Sequence, residues 1–171
     1  MSYARGRTAV RKKAFGNDIF SFYLLFSFSP QLHNTPMREM SAGIILRAGR
    51  VLLVHNTKHG LRIEPPGGKK LAGEGWEESV ARELREELGI DVRVGGLFGE
   101  YRTHSPEGEF MVRMYYCEIE SGEPRVMEPD KVPSFGWYSL DDLKRLCDDG
   151  TLVPNMCLAI PEFKRILSSE K

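Results

Sequence analysis

Glu83, Glu86 and Glu87 stand at positions i, i+3 and i+4 of the run Arg82-Glu83-Leu84-Arg85-Glu86-Glu87. On a helix that spacing brings all three carboxylates to one face, within reach of one another. Like charges so placed cost helix stability, and Arg82 supplies one local counter-charge. Carboxylates grouped in this way call for a cation, and an all-oxygen set suits Mg²⁺ or Mn²⁺ better than zinc. Upstream, Gly67-Gly68 lets the backbone turn tightly and approach a ligand closely, placing carbonyl groups near such a cation. A carboxylate-bound Mg²⁺ keeps positions for water and substrate phosphate, so the chemistry implied is metal-assisted phosphate chemistry. For the glutamates taken alone, the bland alternative is a solvated helix face paired with Arg82 and Arg85.

The spacing works only if a helix carries it. Trp76, Val80, Ala81, Leu84 and Leu88 recur every three or four residues, which predicts a helix from Trp76 to Leu88 with one buried face. Gly89 follows in the position that ends helices. The loop of residues 56–66 ends in Pro65-Pro66-Gly67-Gly68, a cluster of turn formers. Before it, residues 41–47 and 50–55 read as a β-hairpin turning at Ala48-Gly49. Further strands are predicted at residues 92–103, 109–119 and 135–138, and closing helices at residues 141–147 and 161–167. Strands that come first, with little βαβ alternation, indicate an α+β layered domain rather than a doubly wound sheet.

The full stretch from Gly68 to Ile90 resembles the Nudix box, Gly-x5-Glu-x7-Arg-Glu-apolar-x-Glu-Glu-x-Gly-apolar, at every specified position. The strand order around it extends the resemblance over residues 37–167. The resemblance implies an α/β/α sandwich with a mixed β-sheet, in which the box forms a loop–helix–loop. It also implies hydrolysis of a nucleoside diphosphate linked to another group, with Mg²⁺ or Mn²⁺ as cofactor. Carried over by position, Glu83, Glu86 and Glu87 match the metal-binding glutamates, and the Gly68 carbonyl an added ligand. Arg82 matches the residue that orients them, and Glu74 the early glutamate that supports the loop.

Outside the box, residues 122–128 resemble the MutT-like segment in which a strand end leads to a further glutamate. Glu128 is then a metal ligand or the general base, although Glu128-Pro129-Asp130 also reads as a polar turn. Residues 127–131 followed by Gly136-Trp137-Tyr138 resemble a nucleotide-sanitising branch of plants and animals, with Trp137 in the core. Val153-Pro154-Asn155 resembles the MutT segment whose asparagine reads a purine edge, using the donor and acceptor an Asn side chain offers. A loop Asn beside Pro also serves as a turn or cap residue. Lys69-Lys70 is placed to face substrate phosphates.

Charge and composition narrow the partners. The chain has 171 residues with 24 basic and 24 acidic side chains, so no overall basic field favours nucleic acid. Residues 1–36 carry Arg5, Arg7, Arg11, Lys12 and Lys13 against Asp18 alone. They are read as an N-terminal extension, disordered or non-native, ahead of a Nudix domain at 37–171. Their apolar run, residues 19–28, falls short of the roughly 20 residues a bilayer crossing needs. Cys117, Cys147 and Cys157 are too few and too scattered for a disulfide framework or zinc knuckle, so a reducing cytoplasm is the expected compartment. The expected function is a MutT-like triphosphate diphosphatase taking a substrate such as 8-oxo-dGTP to monophosphate and pyrophosphate. The alternatives are an ADP-ribose pyrophosphatase, for which Pro106 is the weak pointer, and a non-hydrolytic nucleotide-binding module. The expected partner is a small nucleotide, without nucleic acid or membrane, for a monomer or homodimer.

Overall fold

The computed structural model describes residues 37–58, 60–105 and 108–168. The readings made for residues 1–36 and for Pro106 lie outside the described residues. In chain order the elements are β1 (Arg38–Ile44), β2 (Leu46–Arg47), β3 (Arg50–Asn56), β4 (Arg62–Glu64), β5 (Gly67–Lys69), α1 (Trp76–Leu88), β6 (Asp91–Ser105), β7 (Gly108–Ser121), β8 (Ser134–Tyr138), α2 (Leu140–Asp148) and α3 (Pro154–Ser168). The first sheet has the order β5-β1-β7-β6 and is mixed: β1 runs parallel to β7 and antiparallel to β5. A second, antiparallel sheet is built on β3, which pairs with β2, β4 and β8.

The hairpin expected over residues 41–47 and 50–55 is shorter than its sequence suggests. Its turn is Ala48-Gly49 with φ of 50° and 69°, a two-residue geometry that follows the twist of the strands. Only Leu46 and Arg47 pair with β3, whereas residues 38–44 pair with β5 and β7. The burial pattern gives the reason. Residues 41–45 are buried consecutively rather than alternately, as in a central strand covered on both faces.

Helices cover both sides of the sheets. On one side Val80, Leu84 and Leu88 of α1 are fully buried against Leu52, Val54, Ile90, Tyr115 and Cys117. Trp137 is partly buried against the same cluster, with the Arg47 guanidinium over its ring. On the other side Leu143 of α2 and Met156, Ala159 and Phe163 of α3 pack on Ile44, Val51, Leu53 and Met114. This is the expected α/β/α sandwich. The α1 boundaries match the sequence pattern: Glu78 Oε2 accepts the Gly75 amide at 2.9 Å, and Gly89 ends the helix at φ 64°.

The last helix departs from expectation, starting at Pro154 rather than Pro161. Pro154 fits the first helical turn, whose amides are unpaired in any case. Pro161 lies inside, where it forfeits one bond to the carbonyl four residues back. The buried positions Met156, Ala159, Phe163 and Leu167 bind the helix to the core on both sides of that defect. Cys147 and Cys157 form a disulfide that joins α2 to α3, which cysteine spacing had not indicated. The link between these helices also holds β4: Ile63 donates to the Thr151 carbonyl at 2.8 Å and accepts from the Val153 amide at 3.1 Å.

The register of α1 on β1 depends on Gly43, where an added Cβ would lie 2.9 Å from Leu84 Cδ2 and 3.1 Å from Cys117 Sγ. Gly43→Ala should therefore destabilise by about 1–3 kcal/mol through overpacking, and Leu84→Ala by roughly 2–5 kcal/mol through a cavity. In the double variant the new methyl partly fills that cavity, so urea unfolding should give a loss smaller than the sum. Strict additivity would mean that Gly43 does not set the approach of α1.

Candidate active site

Burying Val80, Leu84 and Leu88 fixes the rotation of α1, and that rotation decides what each glutamate meets. The side chains of Glu83 and Glu87 are only 7% and 1% exposed, whereas that of Glu86 is 49% exposed. One turn of helix thus presents two sunken carboxylates and one at the surface. Arg82 lies among them. Its Nη1 donates to Glu83 Oε1 at 2.8 Å and to Glu86 Oε2 at 3.0 Å. Its Nε and Nη2 grip both oxygens of Glu74 at 2.7 and 3.1 Å, and Nη2 also reaches the Lys69 carbonyl at 3.2 Å. Bidentate pairing with this guanidinium holds the Glu74 carboxyl down at about 2. Glu74 in turn accepts the Leu71 amide at 2.9 Å, so Arg82 locks the preceding loop onto the helix.

The start of β5 closes over the buried pair. Gly67 donates its amide to Glu87 Oε2 at 2.9 Å. An added Cβ at Gly68 would overlap the Glu83 carboxylate, so glycine is required there by close approach. Burial pushes the Glu87 carboxyl up to about 7, against the opposing pull of Lys131 and the Gly67 amide. Glu87 Oε1 is buried and accepts no hydrogen bond, although Lys131 Nζ lies 3.0 Å away at ion-pair distance.

Glu128 arrives from a distant segment by way of the end of α1. The amides of Arg125 and Met127 donate to the Leu88 and Glu87 carbonyls, both at 3.0 Å. These carbonyls have no partner within the helix, so the incoming segment, which follows β7, completes its C-terminus. The turn that follows is the polar turn expected at residues 128–130, with the Lys131 and Val132 amides donating to the Glu128 carbonyl. Its side chain is 42% exposed and its Oε2 lies 3.4 Å from Lys131 Nζ. Turn and site therefore coincide.

Lys131 is the residue that sequence reasoning left without a role. Burial works against its ammonium, but Glu87, Glu83 and Glu128 hold its pKa above the usual lysine range. Glu64 was also missed. Mostly buried on β4, it accepts from Asn56 Nδ2 at 2.6 Å, and burial raises its carboxyl above the usual range against the pull of Arg62. Neither residue stands at a helical spacing from the box: Lys131 comes to it from the turn after Glu128, and Glu64 is linked to it through the attraction of Lys131.

The structure thus brings together Glu83, Glu86, Glu87, Arg82, Gly68 and, through Lys131, Glu128. Lys69 contributes its carbonyl to the cluster and keeps an exposed side chain. Asn155 lies elsewhere. It is buried in the first turn of α3, where its Nδ2 donates to Met114 Sδ at 3.5 Å. Among the described residues no three His, Cys, Asp or Glu side chains converge on a single point. Arg82 and Lys131 stand between the carboxylates instead. The donor set nevertheless fits a hard divalent cation: all-oxygen ligands, a buried Glu87 oxygen met only by the Lys131 ammonium, and a glycine backbone against Glu83.

Comparison with known proteins identifies the domain. The model of the NUDIX domain matches residues 37–155. The NAD-capped RNA hydrolase NudC of Citrobacter koseri is 34% identical over 109 residues, which are 63% of this chain and 41% of that protein. A putative 8-oxo-dGTP diphosphatase 2 of Mycobacterium tuberculosis is 37% identical over 93 residues, covering 51% of this chain and 64% of its own. The crystal structure of a MutT NUDIX hydrolase from Burkholderia pseudomallei superposes with a TM-score of 0.66 at 31% identity, over 74% of this chain and 97% of that one. The chain spans less than two thirds of the length of either curated relative.

The raised Glu87 carboxyl makes a pH test possible in the absence of metal. Its pKa is about 7 in the folded protein against 4.5 ordinarily, so the folded form holds the proton more tightly. The associated stability is complete below about pH 4.5 and is lost as pH rises through about 7. Metal-free melting of the wild type should fall across that window, and Glu87→Gln should flatten the fall and melt higher at neutral pH. A slope that survives in the variant would assign the titration to another group.

Proposed function

The chain belongs to the Nudix family, and from that premise we propose that it is a hydrolase of the phosphoanhydride in a nucleoside diphosphate-linked substrate. The preferred substrate in this reading is a (deoxy)nucleoside triphosphate such as 8-oxo-dGTP, converted to monophosphate and pyrophosphate. The observation that carries it is the buried Glu83–Glu87 pair under Gly67-Gly68 of β5, with one Glu87 oxygen met by Lys131 alone. A solvated helix face held by surface ion pairs would not bury two carboxylates side by side.

Members of this family generally use divalent cations, and Mg²⁺ or Mn²⁺ is proposed here. Glu83, Glu86 and Glu87 would hold it with the Gly68 carbonyl and Glu128. When bound, it grips the phosphate oxygens and offsets charge that develops on the leaving group. The chain's own residues do the rest. Arg82 keeps Glu83 and Glu86 in place and fastens the loop through Glu74. The exposed Lys69 side chain stands at the loop, where substrate phosphates would approach. In the alternative role to metal ligand, Glu128, which is open to water, would take the proton of the attacking water as general base. Water oxygen bonds to one of the two phosphorus atoms of the anhydride as that atom's bond to the bridging oxygen breaks, and the bridging oxygen leaves with the other phosphorus.

One relative supports a second substrate. The NAD cap in the name of one of them contains a dinucleotide pyrophosphate, close in chemistry to ADP-ribose. The other is named for 8-oxo-dGTP, the reading preferred here. A non-hydrolytic nucleotide-binding module is less well supported, because a pure binder has no use for three mutually repelling carboxylates. Among the described residues no helix is long and apolar enough to cross a membrane. The cytoplasm remains the proposed compartment, with the single Cys147–Cys157 link as the feature that argues for more oxidising surroundings.

The deciding experiment is a panel of dNTPs, oxidised dNTPs, ADP-ribose, dinucleoside polyphosphates and NADH at fixed Mg²⁺. Turnover should be greatest on an oxidised purine triphosphate. It should fall by orders of magnitude in Glu86→Gln and by roughly 10²–10⁴ in kcat in Glu128→Gln. Full turnover in Glu86→Gln would remove the metal-site reading.

Asn155 is the candidate for reading the purine edge, yet it sits buried on Met114. Should it read the base, Asn155→Ala should raise KM for the preferred purine nucleotide far more than for a pyrimidine one, a loss of ~1–3 kcal/mol. Equal changes for all nucleotides, with a lowered melting temperature, would make it a core residue.

A further inference from the structure

We propose that Lys131 is a resident counter-cation of the carboxylate cluster, which a divalent metal must displace to bind. This rests on the metal-site reading above. The placement of Lys131 is fixed on both sides. Its amide donates to the Glu128 carbonyl at 3.0 Å, and its own carbonyl accepts the Thr57 amide at 3.2 Å, which ties the turn to the end of β3. From that anchor its ammonium reaches Glu87 Oε1 at 3.0 Å, Glu128 Oε2 at 3.4 Å and Glu83 Oε2 at 3.8 Å. These are three of the carboxylates assigned to the metal.

The contacts are exclusive in a physical sense. Glu87 Oε1 has no hydrogen-bond partner and meets Lys131 only at ion-pair distance, so it is the oxygen a metal would take. An ammonium and a divalent cation brought against that one oxygen repel each other strongly in a half-buried site, which favours one over the other. Without metal, the ammonium offsets the burial of Glu83 and Glu87. With metal, the lysine side chain, already 34% exposed, has solvent into which to turn. Lys131 then lowers metal affinity while keeping the empty site folded. It is a counter-charge for the metal-free site, not a ligand.

The test uses the full chain and Mn²⁺, whose free concentration is read by electron paramagnetic resonance. Lys131→Met should bind Mn²⁺ on the order of tenfold more tightly than wild type, because an opposing charge has left the site. Its metal-free melting temperature should drop, and Mn²⁺ should restore more of it than it adds to the wild type. Lys131→Arg, which keeps the charge, should stay near wild type in both. Equal or weaker Mn²⁺ binding by Lys131→Met overturns the proposal while leaving the metal site intact, whereas wild-type protein that binds no Mn²⁺ removes the metal site itself. Should Lys131→Met fail to fold without metal, acylation of Lys131 in the wild type, followed by peptide mass spectrometry, gives the answer. Saturating Mn²⁺ should speed acylation as the amine leaves its ion pairs, and an unchanged rate overturns the displacement.

Discussion

Two carboxylates buried one helical turn apart are the constraint around which this domain is arranged. Glu83 and Glu87 repel each other and are largely removed from water, a combination that a folded protein tolerates only with compensation. Arg82 supplies a charge from the same helix, the Gly67 amide a hydrogen bond from the overlying loop, and Lys131 a charge from a turn more than forty residues downstream. Each of these has its own support: Glu74 for Arg82, the β1–β5 pairing for the loop, and the α1 carbonyls for the turn. Much of the sandwich serves to keep a repulsive pair in register.

What was legible in the sequence follows from which interactions are local. The helix from Trp76 to Leu88 could be read to the residue, because its apolar stripe and Gly89 are properties of neighbouring positions. The Arg82–Glu74 grip spans one loop and accompanies the box pattern. The long strands β6 and β7 were legible because they pair with each other as neighbours in the chain. Lys131 and Glu64 were not, since they reach the cluster only through the pairing of β3 with β4 and the docking of residues 125–127 on α1.

The two departures in fold have the same origin. Residues 41–47 carry the pattern of a hairpin arm, but β1 sits between β5 and β7 and is covered on both faces, so the chain leaves the hairpin at Ile45. Pro161 reads locally as a helix start, yet core contacts on both sides carry α3 through it. In each case burial against distant elements outweighed a short-range signal.

The segment that completes the end of α1 leads to a rule about chain length. Residues 125 and 127 bond to the helix through their backbone amides, which every residue except proline possesses. Their side chains are therefore free to vary. The count is not free, because Glu128 and Lys131 are delivered to the cluster by the register of those two amides. A related chain could rewrite the composition of this connection and keep the site, but one extra residue between Met127 and Glu128 would shift both side chains, and one between Glu128 and Lys131 would shift Lys131.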